Sequence, residues 1–195
     1  CIGCAPRWSG CWGFRMNVLM TGSSGQIGTN LAVALLDRGD RVLGVDNRDN
    51  AWTRRIETVR LDLVRTPPAD LPHDRRFDVV VHLAANAKVF ALVENPQGAM
   101  DNITMLFNVL EYCRQRRIPL VFSSSREVYG DIHRHVTHED AADFVVAESP
   151  YSASKIAGEA LVYSYAQCYD LPFLVFRYSN VYGRYDNDLA RMERV

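Results

Sequence analysis

Tyr151 and Lys155 have the types and the spacing that point most directly to chemistry. They lie four positions apart, so on a helix their side chains share a face and can reach one site. An ammonium group beside a phenol favours the phenolate and lowers the pKa of the phenol, which makes Tyr151 a candidate general base. Ser125 follows an apolar run and could hydrogen-bond the same substrate oxygen. Ordinary surface pairs also show this spacing, so the rest of the chain has to decide between the two interpretations.

A glycine-rich stretch follows the first apolar run and predicts a phosphate-binding turn. Gly22, Gly25 and Gly28 are spaced three apart. Gly22 permits a tight exit from a strand, Gly25 lacks the Cβ that would block a pyrophosphate, and Gly28 lets the next helix pack against the strand. The unpaired amides and the dipole of that helix attract an anion. A purely structural turn is the alternative.

Asp46 lies at the end of the second predicted strand, 18 residues after Gly28. At this interval an acidic side chain meets the adenosine ribose of a dinucleotide. A carboxylate accepts hydrogen bonds from both ribose hydroxyls and repels a 2′-phosphate, which favours NAD over NADP. Arg48 weakens this preference, and Asp46 could instead be a turn residue beside Asn47.

Apolar periodicity predicts strands that alternate with helices. The strands begin at Val18 and then cover Arg41–Val45, Thr58–Leu61, Asp78–His82, Pro119–Phe122 and Phe173–Phe176. The helices cover Ile27–Arg38, Pro96–Arg116 and Tyr151–Tyr169, with a loop or poorly formed helix at 65–76 and a loop at 131–149. This alternation predicts an α/β fold, a doubly wound parallel sheet of Rossmann type with helices on both faces. The site then lies at the carboxyl ends of the strands.

Composition predicts one globular domain. Of the 195 residues, 48% are apolar, and 22 basic and 23 acidic residues give a net charge of −1. This balance provides no electrostatic footprint for nucleic acid or an anionic membrane surface. No apolar run has the length of a bilayer span, and the default expectation is a cytoplasmic protein.

Residues 1–15 contain three of the five cysteines, Cys1, Cys4 and Cys11. No second cysteine or histidine pair follows at ligand spacing, so no metal site is predicted. We expect residues 1–15 to be an unstructured leader, with Met16 as a candidate natural start and 16–195 as the dinucleotide-binding domain.

The sequence resembles the extended short-chain dehydrogenase/reductase family, in its NAD-dependent epimerase/dehydratase branch. The resemblance covers nearly all of residues 16–183. The matching segments are TGSSGQIG (21–28), Asp46, Asp62-Leu63, HLAA (82–85), SSSREVYG (123–130), YSASK (151–155) and RYSNVYG (177–183).

The resemblance implies a UDP- or dTDP-sugar substrate, NAD as the cofactor and a homodimer. Tyr151 would be the base, Lys155 would tune it and hold the nicotinamide ribose, and Ser125 would orient the sugar hydroxyl. The implied cofactor-binding residues are Gly22, Gly25, Gln26, Ile27, Gly28, Asp46, Asn47, Asp62, Leu63, Leu83, Ala84, Ala85, Asn102, Ser123, Tyr151, Lys155 and Tyr178. The implied substrate-binding residues are Ser125, Arg126, Glu127 and Asn180.

Two departures from the family pattern bear on the reaction. Dehydratases of the family carry Asp then Glu where this chain has Arg126 and Glu127, and a guanidinium cannot donate the proton for loss of water. Dehydration is therefore disfavoured, while Glu127 leaves decarboxylase-like chemistry or a structural role open. Family members also continue well beyond position 195 into a domain that clasps the nucleotide sugar. We therefore expect an incomplete enzyme, with a catalytically inactive NAD-binding fragment as the alternative.

Overall fold

The structure, a computed structural model, describes residues 15–130 and 147–186. In these ranges the strands are β1 (Asn17–Thr21), β2 (Arg41–Asp46), β3 (Glu57–Arg60), β4 (Val79–His82), β5 (Leu120–Ser125) and β6 (Phe173–Tyr178). The helices are α1 (Gln26–Arg38), α2 (Val89–Glu94), α3 (Gln97–Arg116) and α4 (Pro150–Tyr169). Short 3-10 turns cover Pro68–Asp70 and Arg126–Tyr129.

The described strands form one parallel sheet in the order β3-β2-β1-β4-β5-β6. The chain builds outward from β1 in one direction and from β4 in the other, so the strand order reverses between these two. The predicted doubly wound sheet is confirmed. Ligands of such sheets bind at the carboxyl ends of the strands, beside the point of reversal.

Side chains of β1 alternate between two hydrophobic cores because successive strand residues point to opposite faces. Val18 and Met20 pack in one core with Ala32 of α1. Leu19 packs in the other core with Leu106 of α3. Both faces of the sheet are therefore covered, as a parallel sheet requires.

Helix α2 was missing from the sequence interpretation. It ends just before Pro96, which is the N-cap of α3. Proline lacks the amide that would continue a helix, so two helices meet here where the sequence predicted only the second.

Strands β5 and β6 run further than predicted. Their parallel pairing continues as far as Ser125 opposite Tyr178, because hydrogen bonding to a neighbour sustains a strand through polar residues. The strand ends that carry site residues are therefore longer and better fixed than the sequence suggested.

Several predicted features fall where nothing is described. The predicted leader, apart from Arg15, and most of the predicted loop 131–149 lie outside the described residues. Among the residues that are described, no helix is long and apolar enough to cross a membrane. The same residues contain no group of three or more acidic, histidine or cysteine side chains that could hold a metal ion.

Candidate active site

Gly22 forms the turn at the end of β1. Its φ of +72° belongs to the left-handed region, which residues with a Cβ rarely adopt. Its amide donates a hydrogen bond to the Val45 carbonyl at 2.9 Å, and a Cβ here would lie 2.6 Å from the Ala84 amide nitrogen. The predicted tight turn after β1 thus packs between the ends of β2 and β4.

Gly25 and Gly28 have different roles: Gly28 is required by the turn itself, and Gly25 leaves space beside the turn. A Cβ on Gly28 would overlap the Gly22 carbonyl oxygen, so the turn itself requires this glycine, whereas the sequence interpretation assigned it to helix–strand packing. Gly25 has an extended backbone, with φ −84° and ψ 170°, and its Cβ would meet only that same oxygen, at 3.3 Å. The space beside Gly25 is therefore open to a ligand. Gln26 and Ile27 follow in the first turn of α1, which no described side chain caps, so its amides can meet an anion.

Asp46 presents a buried carboxylate at the end of β2. It accepts hydrogen bonds from the Ser24 amide at 2.9 Å and from the Arg48 amide at 3.2 Å. The Arg48 guanidinium donates to the Ser24 carbonyl at 3.3 Å. Asp46 is therefore held in place by backbone donors beside the glycine turn, with a cation close by.

A cavity of about 880 Å³ lies at the carboxyl ends of the strands, within the range of small-molecule sites, about 300–1,000 Å³. Nine of the predicted cofactor residues line it: Gly22, Gly25, Asp46, Asn47, Asp62, Leu63, Leu83, Ala84 and Ala85. The other predicted site residues are not part of its lining: Gln26, Ile27, Gly28, Asn102, Ser123, Ser125, Arg126, Glu127, Tyr151, Lys155, Tyr178 and Asn180. The predicted contacts from the glycine turn and from the ends of β2, β3 and β4 thus share one cavity.

Asn102 anchors the loop that follows β4. Its side-chain oxygen accepts a hydrogen bond from the Asn86 amide at 2.7 Å, and its side-chain nitrogen donates to the Asn86 carbonyl at 3.2 Å. The same nitrogen donates to Ser154 Oγ on α4 at 3.3 Å. These contacts favour a role for Asn102 in positioning the cavity loop rather than in touching the cofactor.

Thr21 and His82 form a buried link beneath the glycine turn that sequence reasoning did not assign. Thr21 Oγ1 lies 2.7 Å from His82 Nδ1 and accepts a hydrogen bond from the Ala84 amide at 3.3 Å. Burial, helped by the nearby charge of Lys155, lowers the pKa of His82 to about 3, so the ring is neutral. The link holds Ala84 close to Gly22. A histidine at the end of an apolar strand was the available signal, since buried polar groups need partners.

Lys155 brings a buried ammonium group to the end of β5. Its Nζ donates to the Ser123 carbonyl at 2.8 Å and lies 5.7 Å from the centroid of the Tyr151 ring. Helix α4 approaches β5 closely at Gly158, where a Cβ would lie 2.8 Å from Phe122 Cζ. The predicted tyrosine–lysine pair therefore shares one helix face and is directed at a strand end.

Tyr151 lies behind one wall of the cavity. It is buried and packs against Leu92 of α2 and Ala99 of α3, and Leu92 also lines the cavity. Asn86 and Lys88 border the same wall. Sequence reasoning missed this segment, because the apolar pair Val89 and Leu92 is too short a signal for a helix face.

The charge of Lys155 gives a testable pH dependence of stability. Burial lowers the pKa of Lys155 from 10.5 to about 8, so between these values the unfolded chain binds more protons than the folded one. Stability therefore rises with pH in that window and is lost as the pH falls. At neutral pH the buried charge costs about 3 kcal/mol.

Lys155→Met removes this cost and serves as the reference variant in urea unfolding. The variant should gain stability relative to the native chain at about pH 7, and the difference should shrink by about 2.5 kcal/mol near pH 10. A difference independent of pH would mean that Lys155 is not buried in its charged form.

Ser125 ends β5 and begins a tight turn. Its Oγ accepts a hydrogen bond from the Glu127 amide at 3.2 Å, and Arg126 and Glu127 are half-buried in that turn. Tyr178 lies opposite Ser125 at the end of β6, and burial raises the pKa of Tyr178. Asn180 is exposed. The predicted substrate residues thus gather at the ends of β5 and β6, beside the cavity strands.

The sequence profile of the family described as NAD dependent epimerase/dehydratase matches residues 18–195. The chain belongs to this family. The predicted resemblance is confirmed, and so is NAD as the cofactor of the family to which the chain belongs.

Relatives with known activities include nucleotide-sugar epimerases. The chain is 34% identical to UDP-glucuronate 4-epimerase 1 of Arabidopsis thaliana, over 86% of this chain and 43% of that protein. The structure of UDP-glucose 4-epimerase from Thermus thermophilus, solved in complex with NAD, aligns with a TM-score of 0.77 and 33% identity over 88% of this chain and 58% of the other. An NAD-dependent NDP-hexosamine 5,6-dehydratase of tunicamycin biosynthesis aligns with a TM-score of 0.80 and 27% identity over 92% and 60%. The chain spans about half the length of the curated relatives that it matches.

Proposed function

We propose that this chain supplies the cofactor-binding and catalytic half of an NAD-dependent nucleotide-sugar epimerase. The observation that carries the proposal is the buried Lys155, bonded to the Ser123 carbonyl at 2.8 Å and lying 5.7 Å from the Tyr151 ring centroid. Tyr151 packs against Leu92, which lines the same cavity as the glycine turn and Asp46. A buried ammonium beside a phenol suits proton abstraction from a hydroxyl better than it suits stability, because taking a charge out of water destabilises a fold.

The residues present fit NAD. Gly25 leaves space beside the first turn of α1 for a pyrophosphate, and the fixed carboxylate of Asp46 suits a ribose diol. Bound NAD supplies reversible oxidation of a sugar carbinol to a ketone. Lys155 stabilises the phenolate form of Tyr151, which takes the proton from the sugar hydroxyl and becomes the neutral phenol, and Ser125 hydrogen-bonds the same sugar oxygen.

A second candidate is dehydration, which the similarity to the hexosamine 5,6-dehydratase favours. Arg126 opposes it, because a guanidinium cannot act as the proton donor for loss of water. Decarboxylation by way of Glu127 also remains in the family's repertoire. UDP-sugars are the proposed substrates, since relatives include UDP-glucuronate and UDP-glucose 4-epimerases. A cytoplasmic homodimer, expected from the sequence, is part of the proposal.

The proposal is tested by incubating a longer version of the chain, with its substrate-binding half, with UDP-glucose, UDP-glucuronate and UDP-N-acetylglucosamine. Epimerisation gives a product of unchanged mass with an inverted carbon, which proton NMR resolves. Dehydration or decarboxylation gives a lighter product by mass spectrometry and would replace the epimerase assignment. An absence of turnover with every sugar, while NAD binds, would support the inactive NAD-binding alternative.

We expect the chain to bind NAD at least about tenfold more tightly than NADP, a difference of about 1.4 kcal/mol. The Asp46 carboxylate is fixed beside the turn and would repel a 2′-phosphate. Calorimetric titration of both cofactors measures the ratio, and Asp46→Asn should reduce it. Arg48→Ala is the matched control. If the native chain binds the two cofactors equally or prefers NADP, and Arg48→Ala restores a preference for NAD, then Arg48 sets the cofactor choice.

A further inference from the structure

Glu159 is a buried carboxylate on α4, one helical turn after Lys155 and only 8% exposed. The Ser124 hydroxyl donates a hydrogen bond to its Oε1 at 2.5 Å. The Arg177 guanidinium donates to both oxygens, from Nε at 3.0 Å and from Nη2 at 2.7 Å. The carboxylate therefore joins α4 to the ends of β5 and β6.

Arg177 extends this link to the turn after β5. It pairs with Ser124 in the β5–β6 register, and its guanidinium lies 4.6 Å from the centroid of the Tyr129 ring. Tyr129 ends the turn that begins at Arg126. One ion pair thus connects three elements that carry predicted site residues.

Lys155 is enclosed by few charged groups among the described residues. Tyr151 faces it from α4, and the neutral His82 faces it from β4. Glu159 is the acidic group that acts on its ammonium, with Arg177 behind it on β6. His82 has a pKa of about 3, so its charge does not change while the lysine titrates.

We propose that Glu159 is a positioning residue for catalysis, because it supplies the counter-charge for the buried Lys155 ammonium and fixes the carboxyl end of β5. The proposal rests on the proposed use of Lys155 to tune Tyr151. Stability alone gives no reason for the pair, since a well-packed apolar pair would hold the same elements at least as well as a buried ion pair. Lys155 and Glu159 are four positions apart on α4 and both are buried, so their side chains share one face of that helix.

The chain contains two lysines, Lys88 and Lys155, which makes a direct test possible. With isotope-labelled lysine, the Cε signals of the two side chains can be followed by NMR from neutral to alkaline pH. Lys155 should titrate near its pKa of about 8. In Glu159→Gln the pKa of Lys155 should fall below its value in the native chain, because the desolvated ammonium loses its attraction to the carboxylate.

The sign of the pKa shift and two further variants separate this electrostatic role from a structural one. If Glu159 only held the elements together, Glu159→Gln would admit water and raise the pKa of Lys155, which would overturn the proposal. If that variant does not fold, Glu159→Met/Arg177→Met keeps an apolar pair, and a smaller fall in the pKa of Lys155 is expected, because the repulsion from Arg177 is removed as well. An unchanged pKa in either variant also overturns the proposal. Glu111→Gln is the matched control, because Glu111 binds Arg114 in the same two-pronged way and should leave Lys155 unchanged.

The titration uses the chain without substrate or cofactor. It therefore succeeds or fails independently of turnover. If the pKa of Lys155 falls but no epimerisation occurs, the role of Glu159 as counter-charge stands and the proposed function is rejected.

Discussion

Replacing Gly25 with valine is expected to weaken NAD binding at least about hundredfold while the chain stays folded. A hundredfold loss corresponds to about 2.7 kcal/mol. At least this loss is expected because the valine side chain would displace the pyrophosphate from the helix amides. The chain should still fold because the backbone at Gly25 is extended and a Cβ would press on one atom, the Gly22 carbonyl oxygen at 3.3 Å, at the cost of a poorer N-cap for α1. Calorimetric titration with NAD and urea unfolding measure the two effects.

Gly28→Ala supplies the contrasting variant. Its Cβ would overlap the Gly22 carbonyl oxygen, so the turn must shift, and overpacking of this kind costs about 1–3 kcal/mol of stability. We expect Gly28→Ala to lower the urea midpoint more than Gly25→Val does, because its clash with the Gly22 carbonyl oxygen is far closer. Undiminished NAD binding by a folded Gly25→Val protein would place the pyrophosphate elsewhere.

Replacing Tyr151 with phenylalanine should remove most turnover in a longer version of the chain that holds the substrate. General-base catalysis contributes roughly 10²- to 10⁴-fold to a rate, and the variant lacks only the hydroxyl that accepts the proton. NAD affinity should stay nearly the same, because the ring still packs against Leu92 and Ala99. The measurement compares kcat for UDP-sugar epimerisation with NAD affinity.

Tyr163→Phe is the matched control on the same helix, since Tyr163 is 54% exposed and should leave kcat unchanged. Residues 16–195 alone should show little turnover, because contacts to remote parts of the substrate supply much of the binding energy used in catalysis. Efficient epimerisation by that fragment, or by Tyr151→Phe in the longer protein, would contradict the assigned base.

Much of the cofactor end of the site could be predicted from the sequence. Gly22, Asp46 and Ala84 each follow an apolar run, and the carboxyl ends of parallel strands meet at one edge of the sheet. Their order along the chain was therefore enough to place them in one cavity. Helix α2 was not predicted, because it covers only Val89–Glu94 and six residues leave little periodicity to detect.

The sequence by itself determined the parallel sheet, the family of the chain and the strand ends proposed to bind the cofactor, because those depend on local apolar patterns and on glycines at fixed spacing. Only the tertiary structure decided the side-chain partners across elements, such as Thr21 with His82 and Glu159 with Arg177. These pairs are 61 and 18 residues apart. The first pair depends on the register of β1 against β4, and the second on how α4 is rotated and how closely it packs, as at Gly158. These are properties of the whole core rather than of any segment.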